Sequence, residues 1–579
     1  MATTQVDMST LLPFATRSEY SGDDGHLYLS RTRHEQRMCQ LLNAVRDKPD
    51  WARKWRTEEI RAKWTVELRA LAQQGNWTVG AILARRPEGA RWWSAGRLDE
   101  IPLGPMGDAN FQAVLNELDF QAEHVADAAG PDNVFAQDDA VDENVRATLA
   151  QLVADQLENV PAARLDWHPR SNNQVLDLVH PSLYPLVYGR TRILKSAMDK
   201  LDDWSQFLGQ GEPLRKPAGV MHAASNLGYS SGAFTSDRFQ WLPSVFHVAA
   251  DGAVTIGSYI NNLRPDMHGA LYPLLARVFE AALPLLENVV SRIQAPVPLR
   301  IEPDPYSWYG EGPHWSDREA RDAWYNTRMP AIPNPPERFD QHSAIVPPFS
   351  LRDRSLKVIT KLANIQLSPA NPKYPGGSWH IEGMLNESII ATAIYYWDVE
   401  NITESKLQFR SGVQAPTYEQ SDDRGIQYAY ALYNNGPLVQ NRGFITARQG
   451  RLVAFPNLYQ HQVAPFELAD PTRSGHRKII AFFLVDPISP LGQEVVTTAQ
   501  VPPQQAEWIA DVWAQDPTFP LTEKLPREVL DMIVEKMDVT MTRKEAMALR
   551  LELMDERTDF VTQNDVSVFG GAQFSLCEH

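Results

Sequence analysis

The sequence predicts an α+β protein. A β core near residues 351–490 lies between a mostly helical N-terminal region and a helical C-terminal extension. Three observations lead there. Between Leu356 and Pro487 the chain runs through apolar, β-branched stretches, LKVITKLANIQL, IIATAIYYWDV, GFITA, RLVAFP and RKIIAFFLVDP, separated by turn residues. That pattern belongs to buried strands. Ahead of them, residues 31–75 and 107–165 carry long side chains with few breakers. After Pro487 the strand pattern stops, and WIADVW, PREVLDMIVEKM and RKEAMALRLELMDERTDFV read as helices.

At 579 residues the chain exceeds one ordinary domain and can bury a large core with appended parts. A hydrophobic content of 43% and a charged content of 22% are those of a globular protein. The net charge of −17 argues against non-specific binding to nucleic acid or to an anionic membrane. The two cysteines, Cys39 and Cys577, give neither a disulfide framework nor a thiolate metal site. The first residues, MATTQVDMSTLLPF, lack the basic start and apolar core of a signal peptide. The most apolar run, Leu271–Val290, is broken by Arg277, Glu280 and Glu287, and reads as a buried or amphipathic helix rather than a span. The expectation is a reduced intracellular setting, cytoplasmic or nuclear, with no membrane and no nucleic-acid partner. No feature encodes an oligomeric state.

Taken in order, residues 1–30 are polar and read as a flexible arm. Residues 31–350 form the N-terminal region wrapping the core, with Trp51, Trp55 and Trp64 as core anchors. Residues 76–104 are broken by Gly and Pro and carry Trp92-Trp93, and an acidic patch lies around 137–144. The stretch 166–190 is too rich in Pro and aromatics to read as a regular element. His168 and His180 each precede a proline there, which biases them to extended or turn geometry, and both read as structural histidines rather than ligands. Asp251-Gly252 between FQWLPSVFHV and AVTIGSYI predicts a β-hairpin near 239–265. A helix follows to about 293, then a segment crowded with Pro, Trp and Tyr to 350. The core, 351–490, contains a polar insertion at 411–435. The extension, 491–579, includes Thr542 three residues before Glu545, the spacing of a capping box.

The chemistry lies in the core. GGSWHIEG reads as a loop feeding a strand, and on a strand residues two apart point the same way. His380 and Glu382 therefore reach one point. With His461, after RLVAFP, they make two histidines and one carboxylate, the facial ligand set of non-haem Fe(II) oxygenases. Gly475-His476-Arg477 opens the next apolar strand, and a cation there can pair with a dicarboxylate. Lys478 and Arg473 are the other cations of that stretch; sequence does not fix which face each takes. Asn364 and Gln366 share a strand face and are candidates to touch the co-substrate, as against satisfying buried backbone groups; Lys361 lies on the opposite face. Tyr395, Tyr396 and Trp397 read as core aromatics, and Arg410 as the partner of a structural acid.

In this order the motifs resemble the Fe(II)/2-oxoglutarate-dependent dioxygenases. The resemblance implies a double-stranded β-helix (jelly-roll) core, iron held by His380, Glu382 and His461, and 2-oxoglutarate held by Arg477. It also implies O2 as oxidant and release of succinate and CO2. A wider resemblance, carried by DWHPRSNNQVLDLVHPSLYPLVYGR, KLANIQLSPANPKYPGGSWHIEG and AFPNLYQHQVAPFELADPTRSGHRKIIAFFLVDP, is to a large, mainly fungal family catalogued as a domain of unknown function. The expected reaction is hydroxylation, desaturation or cyclisation of a small-molecule metabolite. The alternatives are a protein hydroxylase or demethylase of Jumonji type, a cupin-like metalloenzyme without 2-oxoglutarate, and an inactive β-helix scaffold.

Overall fold

Alternation along the strands divides the core residues between two apolar clusters, and the fold follows from that division. The computed structural model describes residues 28–74, 103–215, 235–336, 349–420, 422–433, 436–515, 525–565 and 573–574. Most of the expected arm, the Trp92-Trp93 segment and Cys577 lie outside these residues.

The strands that matter here are β1 (Phe135–Gln137), β2 (Val175–Val179), β3 (Ser244–Val248), β4 (Val254–Ile256), β5 (Arg354–Leu367), β6 (Ile389–Glu400), β7 (Ser405–Gly412), β8 (Val439–Ala447), β9 (Leu452–Pro456), β10 (Gln460–Val463) and β11 (Gly475–Val485). A large antiparallel sheet of eight strands runs β1-β9-β6-β11-β5-β3-β4, with β2 also paired to β5. A smaller antiparallel sheet runs β8-β7-β10. The outer face of the large sheet, with Val358, Leu362, Ala393, Tyr395, Ile480 and Phe482, packs on the long helix Leu271–Gln294. The inner face, with Ile359, Ile394, Tyr396, Phe455, Ala481 and Phe483, packs on Leu407, Phe409 and Ile445 of the small sheet. Period-two alternation thus gives the central strands β5, β6 and β11 two buried faces, whereas β3 and β4 expose His247 and Thr255.

The helix Leu271–Gln294 is the run that sequence left between buried and amphipathic. It is buried along one side, while Arg277 and Glu280 pair with each other at its surface. Among the described residues no helix is long and apolar enough to cross a membrane. The hairpin β3–β4 turns at Asp251-Gly252, where Gly252 takes φ +94°, a conformation glycine adopts without a steric penalty. Trp51, Trp55 and Trp64 are buried in an N-terminal helical cluster.

Two local readings are corrected. Val175–Val179, inside the stretch that read as irregular, is a strand of the large sheet. The run VLDLV is only five residues long, too short to show a period. The expected strand through GGSWHIEG is a single bridge: His380 and His461 exchange both backbone hydrogen bonds, at 3.2 and 2.9 Å, and regular pairing goes no further. Gly376 at φ +95° and Gly383 at φ +70° bracket it.

The C-terminal helix Arg543–Asn564 starts at Thr542, whose hydroxyl accepts the Glu545 N–H at 3.1 Å. Only this half of the capping box forms, because the Glu545 carboxylate meets Arg190 instead. The helix packs Ala546, Leu549 and Leu553 into the cluster between the sheets.

Candidate metal centre

Residues paired across antiparallel strands point to the same face. His461 pairs with Phe409, which lies in the cluster between the sheets. His380 pairs with His461, so both imidazoles face the interior, with ring centroids 4.3 Å apart. Glu382, two residues on, joins them: its Oε1 lies 3.4 Å from His461 Nε2 and 3.7 Å from His380 Nε2. One ligand atom from each residue falls within 4.8 Å of the others. The His380 side chain is about a third exposed and that of His461 is 4% exposed, so the cluster is reached from the His380 side.

The hydrogen bond of His380 leaves its Nε2 free for a cation. His380 Nδ1–H donates to the Ser378 carbonyl at 2.8 Å, which directs the Nε2 lone pair inward. Metal-ligating histidines use their second nitrogen in this way. Burial alone raises a carboxyl pKa, but the two imidazoles hold Glu382 well below the ordinary range. Burial opposes a charge on His380, yet the Glu382 carboxylate raises its pKa; on His461 burial and the neighbouring His380 prevail and lower it. The donor set, two imidazoles and an anionic carboxylate with one imidazole about a third exposed, fits a divalent non-haem iron.

Arg477 lies on the inner face of β11, paired with Ile365, and is 3% exposed. Its guanidinium donates to Ser405 Oγ at 2.9 Å and lies near the rings of Tyr396 and Phe466. Its Nε is buried without a partner, and it forms no ion pair among the described residues. Burial lowers its pKa. The neighbouring Lys478 points to the other face and meets Glu158 at 3.0 Å and Asp398 at 3.4 Å. Arg473 pairs with Glu400 at an exposed site.

Asn364 and Gln366 are not at this centre. They share a face, but it is the outer one: Asn364 pairs with Lys478 and donates to Glu158 at 2.7 Å. Alternation fixed that the two point together and not which way, and Glu158, at the end of a π turn (Ala154–Glu158), covers that side. Lys361 is on the inner face, where its charge is felt at His380, His180 and Asp177. It makes no hydrogen bond or ion pair among the described residues.

Three neighbours went unread in the sequence. Asn457 is fully buried and hydrogen-bonds the backbone of Glu382. Tyr459 donates its hydroxyl to the Asp132 carbonyl at 2.9 Å, and the Asp132 carboxylate is held by Arg31, Arg46 and Arg300 of the N-terminal region. Asp177 gathers His168 and His180 into a second cluster, also within 4.8 Å. Arg410 does meet an acid, Asp565, while its guanidinium lies over Trp379. No simple spacing links Asn457 to Glu382; the available signal was a polar amide just after the fully apolar strand ending at Pro456.

Comparison with known proteins places the chain in a family and gives little beyond that. No curated protein matches the sequence. Similar solved structures include IDO from Bacillus thuringiensis, at 8% identity over 23% of this chain and 47% of that one, with a TM-score of 0.15. They also include the Fe(II)/α-ketoglutarate-dependent dioxygenase TqaL, at 11% identity over 60% and 90%, with a TM-score of 0.20. A bsmA homolog from Methylobium petroleophilum PM1 stands at 8% identity over 43% and 72%, with a TM-score of 0.20. This chain spans about half the length of IDO, and likenesses this low carry no argument. The N-terminal domain model of a family of unknown function matches residues 6–67. The principal model of that family, described as "Protein of unknown function (DUF4246)", matches residues 108–512. The match spans well over half of the chain, and the protein belongs to the DUF4246 family.

Proposed function

We propose that the protein is a non-haem Fe(II)- and 2-oxoglutarate-dependent oxygenase, built on a double-stranded β-helix and acting on a small-molecule metabolite. The observation that carries the reading is the pairing of two features inside one sandwich. Three ligand atoms converge there, and a buried guanidinium on the facing sheet has no acidic partner among the described residues. The strand order supports the fold. From β5 onward, successive stretches fall in the large sheet, the small (the His380 bridge), large, small, small, large, small and large, the weave of a jelly roll.

In this reading His380, Glu382 and His461 hold the metal on one side and leave its other positions open. Iron bound there would couple the oxidative decarboxylation of 2-oxoglutarate, giving succinate and CO2, to the oxidation of a substrate C–H bond by O2. The Ser378 carbonyl fixes the His380 tautomer, and Arg477 supplies a bidentate partner for the far carboxylate of 2-oxoglutarate. Phe409, Phe455 and Tyr396 line the interior and keep water from it. Hydroxylation, desaturation and cyclisation all remain within this chemistry. A second reading gives the far carboxylate to Lys361, which also faces the interior without a partner among the described residues.

The test is succinate release by iron-loaded protein incubated aerobically with 2-oxoglutarate. Arg477→Ala should raise the 2-oxoglutarate requirement at least about 30-fold, the equivalent of about 2 kcal/mol for a lost buried charge pair. An unchanged requirement in Arg477→Ala with loss in Lys361→Ala would transfer the role to Lys361. Iron binding without any succinate would favour the cupin-like alternative.

A further inference from the structure

We propose that Asn457 is the positioning residue that sets Glu382 in ligand geometry; the proposal rests on the metal-site reading above. Its side chain is fully buried. Its Oδ1 accepts the Glu382 N–H at 2.8 Å, and its Nδ2 donates to the Glu382 carbonyl at 2.8 Å and to the Ile389 carbonyl at 3.0 Å. The Asn457 backbone N–H donates to the Ile390 carbonyl at 2.9 Å. Both donors of the amide and its acceptor are thus engaged.

The local backbone explains the need. Pairing between the two ligand-bearing stretches ends at His380–His461, and Gly383 turns the chain away at φ +70°. Among the described residues no neighbouring strand holds Glu382. The Asn457 amide takes that place, bonding both the N–H and the C=O of the same residue as a strand neighbour would. Asn457 also precedes His461 on one short turn, closed by the Tyr459 N–H to the Pro456 carbonyl at 3.0 Å. One side chain therefore ties the carboxylate ligand to the segment that carries the distal histidine. Outer groups of this kind orient ligands and typically affect metal affinity about 10–100-fold.

The experiment titrates metal-free protein with Co(II) against a chromophoric chelator, for wild type, Asn457→Ala and Glu382→Ala. Asn457→Ala should bind about 10–100-fold more weakly, and its Co(II) spectrum at saturation should move to that of Glu382→Ala. A purely structural role would lower thermal stability and leave that spectrum unchanged. Wild-type affinity and spectrum in Asn457→Ala overturn the proposal and leave the metal site standing. Wild type that binds no Co(II) overturns both. If Asn457→Ala does not fold, hydrogen exchange in the wild type decides: a protected Glu382 amide in the metal-free protein supports the clamp, and an amide exchanging at the rate of an open loop refutes it.

Discussion

Two clusters of two histidines and one carboxylate lie among the described residues, and their surroundings suit only one of them to a cation. At the first, the His380 Nε2 lone pair and the Glu382 carboxylate face a space shared with His461 Nε2. In the second cluster, His168 Nδ1 meets Asp177 Oδ2 at 2.7 Å, and the rings of His168 and His180 are 5.3 Å apart. There the Ser182 N–H donates to His180 Nδ1 at 3.2 Å, so the proton of the neutral ring sits on the other nitrogen. The Arg550 guanidinium, fully buried, binds both Asp177 and Asp166. At the first centre a carbonyl faces His380 Nδ1, and Glu382 has no arginine partner among the described residues. The kinds of side chain are almost the same. What differs is which ring nitrogen is protonated and whether a fixed cation already occupies the carboxylate.

The sharpest way to break this comparison is to remove ligands. Glu382→Ala or His461→Ala should weaken metal binding by much more than the roughly 10–100-fold of outer-group changes. His168→Ala and His180→Ala should leave metal stoichiometry and affinity as in wild type. Metal content with chelator competition reads both, and a second equivalent lost in His180→Ala would refute the distinction drawn here. Next in size is Arg550→Ala, which strands a buried carboxylate. It should cost about 3–5 kcal/mol in urea denaturation. Loading the triad should then stabilise the protein by about 2.7 kcal/mol at a free metal concentration of 100 Kd, and His380→Ala should remove that increment.

The acid dependence, read as the difference between wild type and Asp177→Asn, tests the second cluster. Burial raises the Asp177 pKa, but His180, the His168 hydrogen bond and Lys361 outweigh it and hold the carboxyl below its usual value. A depressed folded-state value stabilises the protein above the unfolded value of about 3.9 and loses that contribution as pH falls below it. Stability should therefore drop below about pH 4, and less steeply in Asp177→Asn. The smallest effect belongs to Asn364→Ala. Its loss should cost about 1 kcal/mol of stability and leave 2-oxoglutarate affinity unchanged, since Asn364 faces Glu158.

The meeting of His380, Glu382 and His461 was legible because two of them sit two residues apart and the third follows an apolar strand. Arg477 was legible as a cation opening a strand, but choosing it over Lys478 needed a face. That choice rests on the pairing Arg477–Ile365 and on a bulge between Tyr396 and Asp398 that brings Asp398 opposite Lys478. The same gap misplaced Asn364 and Gln366: a period of two shows that residues share a face and not what covers it. Cross-chain partners were out of reach altogether. Asn457 acts on backbone groups of Glu382 and Ile389, and Arg550 reaches Asp177 from the C-terminal helix; neither contact leaves a periodic trace.

The most direct test of the central claim is an anaerobic titration of metal-free protein with Fe(II) and then 2-oxoglutarate, followed by the weak visible charge-transfer band of an iron–keto acid chelate. The account predicts a band in wild type, no band in His380→Ala, and a band in Arg477→Ala only at much higher 2-oxoglutarate. Iron binding with no band at any 2-oxoglutarate concentration, or a band that persists in His380→Ala, would contradict it.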